Sequence, residues 1–220
     1  MPHTLPSQNI TPAEALQRLK EGNFRFINNI SNRPDYLGQV EETKDAQAPF
    51  AAILSCMDSR TSAELIFDQG LGDIFSIRIA GNVVTNSILG SLEYATAAAS
   101  AKLIVVLGHT GCGAIKGACD DVQLGHLTGL LARIRPAVEL ERSVKESRDS
   151  SNPAFVQKVC EINVRHSVAQ ILEQSPVILK LVAEGKLMIA GAIYDVATGL
   201  ARFGDEASHI YSPQLAGAAI

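Results

Sequence analysis

A mostly parallel α/β sheet covered by helices on both faces is the fold this sequence predicts. Three observations carry it. Three short, largely apolar runs, Phe50–Ser55, Lys102–Leu107 and Lys186–Tyr194, read as core strands, and the second is rich in β-branched residues, as strands buried on both faces are. Helical patterns alternate with these runs, which argues for crossover connections. Chemically distinctive residues, Cys56 and His109, stand one and two residues after two of the runs, where open α/β sheets place their sites. The expected sheet has four core strands plus an edge strand.

The elements follow in chain order. Thr11-Pro12-Ala13-Glu14 starts a helix, with a Thr cap, Pro at the first helical position and Glu three residues on. The helix runs to about Asn28 and carries Leu16, Leu19, Phe26 and Ile27 on one side. Residues 29–48 are polar, with a proline and a glycine, and read as an extended arm. After the first strand, Ser62–Phe67 reads as a short helix and Asp73–Ile79 as the next strand, closed by Ala80-Gly81-Asn82. Asn86 or Ser87 caps a helix to about Ser100. Residues 122–142 form one long helical pattern through Leu124, Leu127, Leu131 and Ile134, followed by an exposed loop over Ser143–Pro153. A helix over Ala154–Glu173 ends before Pro176, and a shorter one reaches Ala183. Thr198-Gly199 turns the chain into an edge strand over Leu200–Phe203.

The 220 residues, 46% of them hydrophobic, suffice for one core, and the whole chain, residues 1–220, reads as one domain whose residues 1–48 form the N-terminal helix and arm. A net charge of −4 carries no basic nucleic-acid footprint. No apolar run reaches membrane-spanning length, and the N-terminus lacks the charged-then-apolar pattern of a signal. The four cysteines, at 56, 112, 119 and 160, show no disulfide-rich spacing, which suits a reducing cytoplasm.

The chemistry centres on Gly108-His109-Thr110-Gly111-Cys112-Gly113 together with Cys56. Two thiolates and one imidazole suit zinc, and three protein ligands leave its fourth position for water or substrate. Each piece alone has a plainer reading. A lone cysteine is usually a small packed residue. The Asp58 and Arg60 that follow Cys56 could be an ion pair steadying a turn. Cys119 and Cys160 read as packed thiols. His126 and His166 stand on helical patterns without ligand spacing, and His3 and His209 lie near the chain ends.

Taken together, Cys56-x-Asp58-x-Arg60 and His109-x-x-Cys112-Gly113, with Cys56 and His109 53 positions apart, resemble the β-class carbonic anhydrases, in particular their plant-like, open-site members. The similarity spans about Gln47 to Asp195. It implies Zn2+ on Cys56, His109 and Cys112, a catalytic pair in Asp58 and Arg60, and reversible hydration of CO2 to bicarbonate with hydroxide on zinc as the nucleophile. It further implies that Gln47 and Gly113 bind substrate and that Phe75 and Tyr94 wall the CO2 site. Periodicity alone reads both aromatics as core, and a glutamine at 47 as a solvated loop residue. The family commonly has a valine in that wall where this chain has Ala80. Members that close the site by swinging the aspartate onto zinc carry a tryptophan three residues before the first cysteine. Ile53 stands there instead, so the resemblance implies an open site without that switch. It also implies a homodimer or a dimer of dimers, the N-terminal helix embracing the partner, with Gln47, Phe75 and Tyr94 reaching a neighbour's zinc. Two other readings use the same residues: a zinc hydrolase of carbonyl sulfide or carbon disulfide, and a protein with a purely structural zinc.

Overall fold

The computed structural model describes residues 10–30, 35–204 and 210–211. Helix α1, Pro12–Ile27, begins with the expected capping box between Thr11 and Glu14. It buries Ala15, Leu16 and Leu19, while Phe24 and Ile27 face outward. The segment 29–48 is not extended throughout: α2 occupies Tyr36–Thr43, capped by the Asp35 carboxylate, which accepts from the Gly38 N–H. An Asp at that position supplies the acceptor the first turn needs, a local signal that the polar composition hid.

Strand β1, Ala51–Ser55, leads through α3, Ala63–Ile66, into β2, Ile74–Arg78. A tight turn over Ala80–Asn82 precedes α4, Asn86–Glu93. Its cap is Thr85, whose hydroxyl accepts from the Ile88 N–H, rather than Asn86 or Ser87. The helix then widens over Tyr94–Ala98, where the Ala99 N–H reaches back five residues to the Tyr94 carbonyl. Strand β3, Leu103–His109, is followed by α5, Gly113–Cys119, α6, Gly125–Leu131, and α7, Arg135–Leu140. The expected single helix over 122–142 is therefore two. Pro136 has no N–H to continue α6, and it sits instead in the first turn of α7. The long helix α8, Pro153–Gln174, and α9, Pro176–Ala183, lead to β4, Met188–Tyr194, and β5, Ala201–Phe203. A two-residue strand that the sequence reading did not foresee, β6, Ile210–Tyr211, completes the order.

The sheet runs β2-β1-β3-β4-β5, with the first four strands parallel. β5 pairs antiparallel with the C-terminal half of β4, and β6 pairs antiparallel with its N-terminal half. All residues of β1 and β3 are buried, as the central strands of a doubly covered sheet must be. Alternation sorts their side chains. Ala51, Ile53, Leu103, Val105 and Leu107 pack with α1 and α3, and Ala52, Leu54, Ile104 and Val106 pack with α4, α8 and α9. Because β2 and β3 flank β1 on opposite sides, the chain reverses its direction of winding between β1 and β3. The crevice at their C-terminal ends is the switch point of the fold. Among the described residues, no helix is long and apolar enough to cross a membrane.

Candidate metal centre

Two adjacent parallel strands deliver the ligands. Ser55 pairs with Leu107, so Cys56 comes level with Gly108, one residue before His109. Gly111, at φ +67°, makes the left-handed turn that returns Cys112 beside them. Sγ of Cys56 and Sγ of Cys112 stand 3.9 Å apart, and with a His109 ring nitrogen all three donor atoms lie within 4.8 Å of one another. All three residues are buried.

The donor set fits zinc. A tetrahedral ion with bonds of about 2.3 Å to sulfur holds two sulfurs about 3.8 Å apart. His109 Nδ1 lies 3.0 Å from the Thr110 carbonyl. That acceptor assigns the ring proton to Nδ1 and leaves the Nε2 lone pair for a ligand. Nε2 is buried and has no hydrogen-bond partner in the chain, which is what a metal position leaves behind. The thiols polarise each other. Cys56 is driven down, first by its hydrogen bond with Cys112 and further by the Gly81 N–H at 3.4 Å. Cys112 is pushed up by that same neighbour and by burial.

Asp58 and Arg60 stand at the mouth of this cluster. Arg60 Nε and Nη2 donate to the two Asp58 carboxylate oxygens at 2.9 and 2.8 Å, and the Arg60 N–H donates to Oδ1 at 3.0 Å. The guanidinium holds the Asp58 carboxyl well below the usual carboxylate range. Oδ2 is 4.0 Å from His109 Nε2, so the carboxylate borders the metal position while bound to arginine. Two residues that the sequence reading missed support this loop. Arg78 donates to the Cys56 and Asp58 carbonyls, and the Thr61 hydroxyl bonds the same two oxygens. A charged residue at the end of a mainly apolar strand, level with Ser55 just before Cys56, was the available signal for Arg78.

Gly113 is the first residue of α5, directly after Cys112, so its N–H has no intrahelical partner. The remaining three expected residues lie elsewhere. Gln47 is exposed, ahead of β1 and beside Gly72, toward the opposite end of the sheet. Phe75 pairs with Ala52, four residues before Cys56, which is about 13 Å along the strand. Its ring meets that of Tyr94 edge to face at 6.1 Å, and Tyr94 is 59% exposed. The chain thus brings the two aromatics together but does not bring them, or Gln47, to its own ligand cluster. Among the described residues, no other group of His, Cys, Asp or Glu forms a metal-binding cluster. His126 and His166 lie outside it, and the expectations for His3 and His209 fall outside the described residues.

Fold and site define a zinc α/β protein with its metal at a sheet switch point. The carbonic anhydrase family model matches residues 51–201. Carbonic anhydrase 2 of Mycobacterium tuberculosis is 37% identical over 211 residues, 92% of this chain and 97% of that protein. The carbonic anhydrase of Mycolicibacterium smegmatis is 37% identical over 200 residues, 87% of this chain and 92% of its own. The β-carbonic anhydrase of Coccomyxa, solved in complex with acetazolamide, superposes with a TM-score of 0.71 at 27% identity, covering 92% of this chain and 91% of that one. The chain belongs to the carbonic anhydrases of the β class. It is a hydro-lyase that interconverts CO2 and bicarbonate, with a Cys-His-Cys zinc site.

Proposed function

We propose that this carbonic anhydrase works through an open, plant-like site in which Asp58 stays on Arg60 and off the metal. The observation that carries this reading is the two-pronged Asp58–Arg60 pair, with both carboxylate oxygens engaged at 2.8–2.9 Å. Moving the carboxylate onto the metal would break two charge-assisted bonds. Ile53, wholly buried between β1's neighbours, offers no polar anchor for the alternative.

Zinc on Cys56, His109 and Cys112 supplies the Lewis acidity that makes water nucleophilic near neutral pH. Asp58 accepts a hydrogen bond from the attacking oxygen and directs its lone pair at the carbon of CO2. Arg60 keeps Asp58 ionised and fixes its rotamer. The Gly113 N–H donates to the carboxylate oxygen that gains charge as the C–O bond forms. Gln47, Phe75 and Tyr94 act across a subunit boundary: Phe75 and Tyr94 give CO2 an apolar wall, and Gln47 adds a donor. Their distance from the chain's own ligands supports a pocket built by two chains. So do the exposed apolar residues of α1 and α2, including Phe24, Tyr36 and Leu37, the last 82% exposed. The working unit is then a homodimer or a dimer of dimers, each chain one domain with an N-terminal arm. The unbridged cysteines suit a reducing, cytoplasmic setting.

The test is stopped-flow CO2 hydration on zinc-loaded wild type and Asp58→Asn, with carbonyl sulfide and carbon disulfide offered in parallel. Asp58→Asn should keep its zinc and lose about 10²-fold or more in turnover. Loss of zinc in the variant would make Asp58 a structural ligand instead. Faster turnover of a sulfur substrate than of CO2 would reassign the pocket's specificity.

A further inference from the structure

The turn Gly81–Asn82 is held in an unusual shape by a distant helix. Both residues lie in the left-handed region, Gly81 at φ +66° and Asn82 at φ +45°. Two such residues in succession satisfy neither a helix nor a strand ladder, so their carbonyls need outside donors. α8 supplies them. Asn163 Nδ2 donates to the Gly81 carbonyl at 2.9 Å, and the Ser167 hydroxyl donates to the Asn82 carbonyl at 3.3 Å. Asn163 and Ser167 are each 1% exposed and four residues apart, hence on one helix face. They are polar residues on a buried face that otherwise carries apolar side chains, Val159, Val164, Val168 and Ile171 among them. Burying an amide and a hydroxyl there is costly unless each finds a partner. The partner each finds is this one turn.

The other side of the turn faces the metal centre. The Gly81 N–H donates to Cys56 Sγ at 3.4 Å. It comes from outside the loop that carries Cys56 itself, 25 residues along the chain. The chain of contact is therefore α8, Asn163, Gly81, Cys56 Sγ. We propose that Asn163, assisted by Ser167, is a positioning residue of the zinc site: it fixes the turn that presents the Gly81 N–H to the Cys56 thiolate. Such a bond orients the sulfur and draws off part of its charge, tuning how strongly it donates to a metal. The inference rests on Cys56 being a zinc ligand.

Asn23 provides a matched control. It too is a buried asparagine bracing backbone carbonyls, those of Ile66 at the end of α3 and of Gly199, at 3.1 and 2.9 Å, but it touches no ligand. The experiment compares Asn163→Leu, Ser167→Ala, Asn23→Leu and Cys56→Ser with wild type. It reads zinc affinity by competition with a chromophoric chelator, the thiolate-to-metal charge-transfer band of the cobalt(II)-substituted protein, and the melting temperature. Asn163→Leu should weaken zinc about 10–100-fold and shift the cobalt band. Ser167→Ala should move both in the same direction by less. Asn23→Leu should lower the melting temperature and move neither. Zinc affinity within about twofold of wild type and an unmoved band in Asn163→Leu would reduce Asn163 to a structural brace and overturn the proposal. If that variant fails to fold, Asn163→Ser and Ser167→Ala decide by the same two readouts. Wild-type zinc affinity in Cys56→Ser would overturn the ligand assignment itself, a different failure from an unchanged Asn163 variant.

Discussion

Replacing Gly81 by alanine tests the turn at its tightest point. Two costs add. At φ +66° an L-residue pays about 1–2 kcal/mol for placing Cβ against its own backbone. The new Cβ would also stand 2.6 Å from Ile134 Cδ1 and 3.3 Å from Ala114 Cβ. Ile134 is wholly buried in the cluster beneath the metal ligands, so it cannot swing into solvent. It must retreat by about 1 Å to reach ordinary carbon contact, an overpacking that costs about 1–3 kcal/mol. The sum is about 2–5 kcal/mol, a fall of roughly 4–20 °C in melting temperature for a chain of this size. Gly90, in α4, has open space at its Cβ and no unusual φ. Gly90→Ala should therefore stabilise by about 0.5–1 kcal/mol. Thermal unfolding of both variants, loaded with zinc and stripped of it, reads the two signs. A Gly81→Ala melting temperature within about 1 °C of wild type would refute the strain argument.

Two further outcomes follow from packing and burial. Gly22→Ala gains helix propensity of about 1 kcal/mol, yet its Cβ would lie 1.7 Å from the Phe67 carbonyl oxygen, a contact only movement of α1 can relieve. Urea titration should show a net loss of about 2 kcal/mol or more, and a gain would mean α1 is loosely docked. Burial pushes the Cys119 thiol up to about 11, with help from Asp120, and the Cys160 thiol up to about 12. A raised value keeps the thiol protonated and poorly nucleophilic at every pH below it. Ellman's reagent at pH 8 should leave both unmodified in the native zinc protein and label them on unfolding; rapid native labelling of Cys119 would refute this.

The residues legible in the sequence are those whose signal is local. β1 and β3 are largely apolar runs, Thr11-Pro12-Ala13-Glu14 is a self-contained helix start, and the ligands sit within three residues of strand ends. What the sequence hid depends on distant partners or on one backbone group. Pro136 split a pattern that Leu124, Leu127, Leu131 and Ile134 made look continuous. α2 was masked by its polar composition, and β6 exists only because β4 offers an edge. Asn163 and Gly81 are 82 residues apart, and nothing in either neighbourhood names the other. The separation of Gln47, Phe75 and Tyr94 from the chain's own ligands is likewise a property of the folded sheet, invisible in spacing.

Cys56 and Cys112 are 56 positions apart, and the chain between them makes a complete excursion through α3, β2 and α4 before β3 brings it back. An ion held by both sulfurs closes that excursion into a ring. Closing a loop of this length removes about 4 kcal/mol of chain entropy from the unfolded ensemble, by the reckoning used for disulfides. The zinc is in this sense a removable cross-link. Its ring encloses β2, the outer strand of the sheet, and leaves β4 outside. Stripping the metal returns that entropy to the unfolded chain, so the metal-free protein should melt well below the zinc-loaded one.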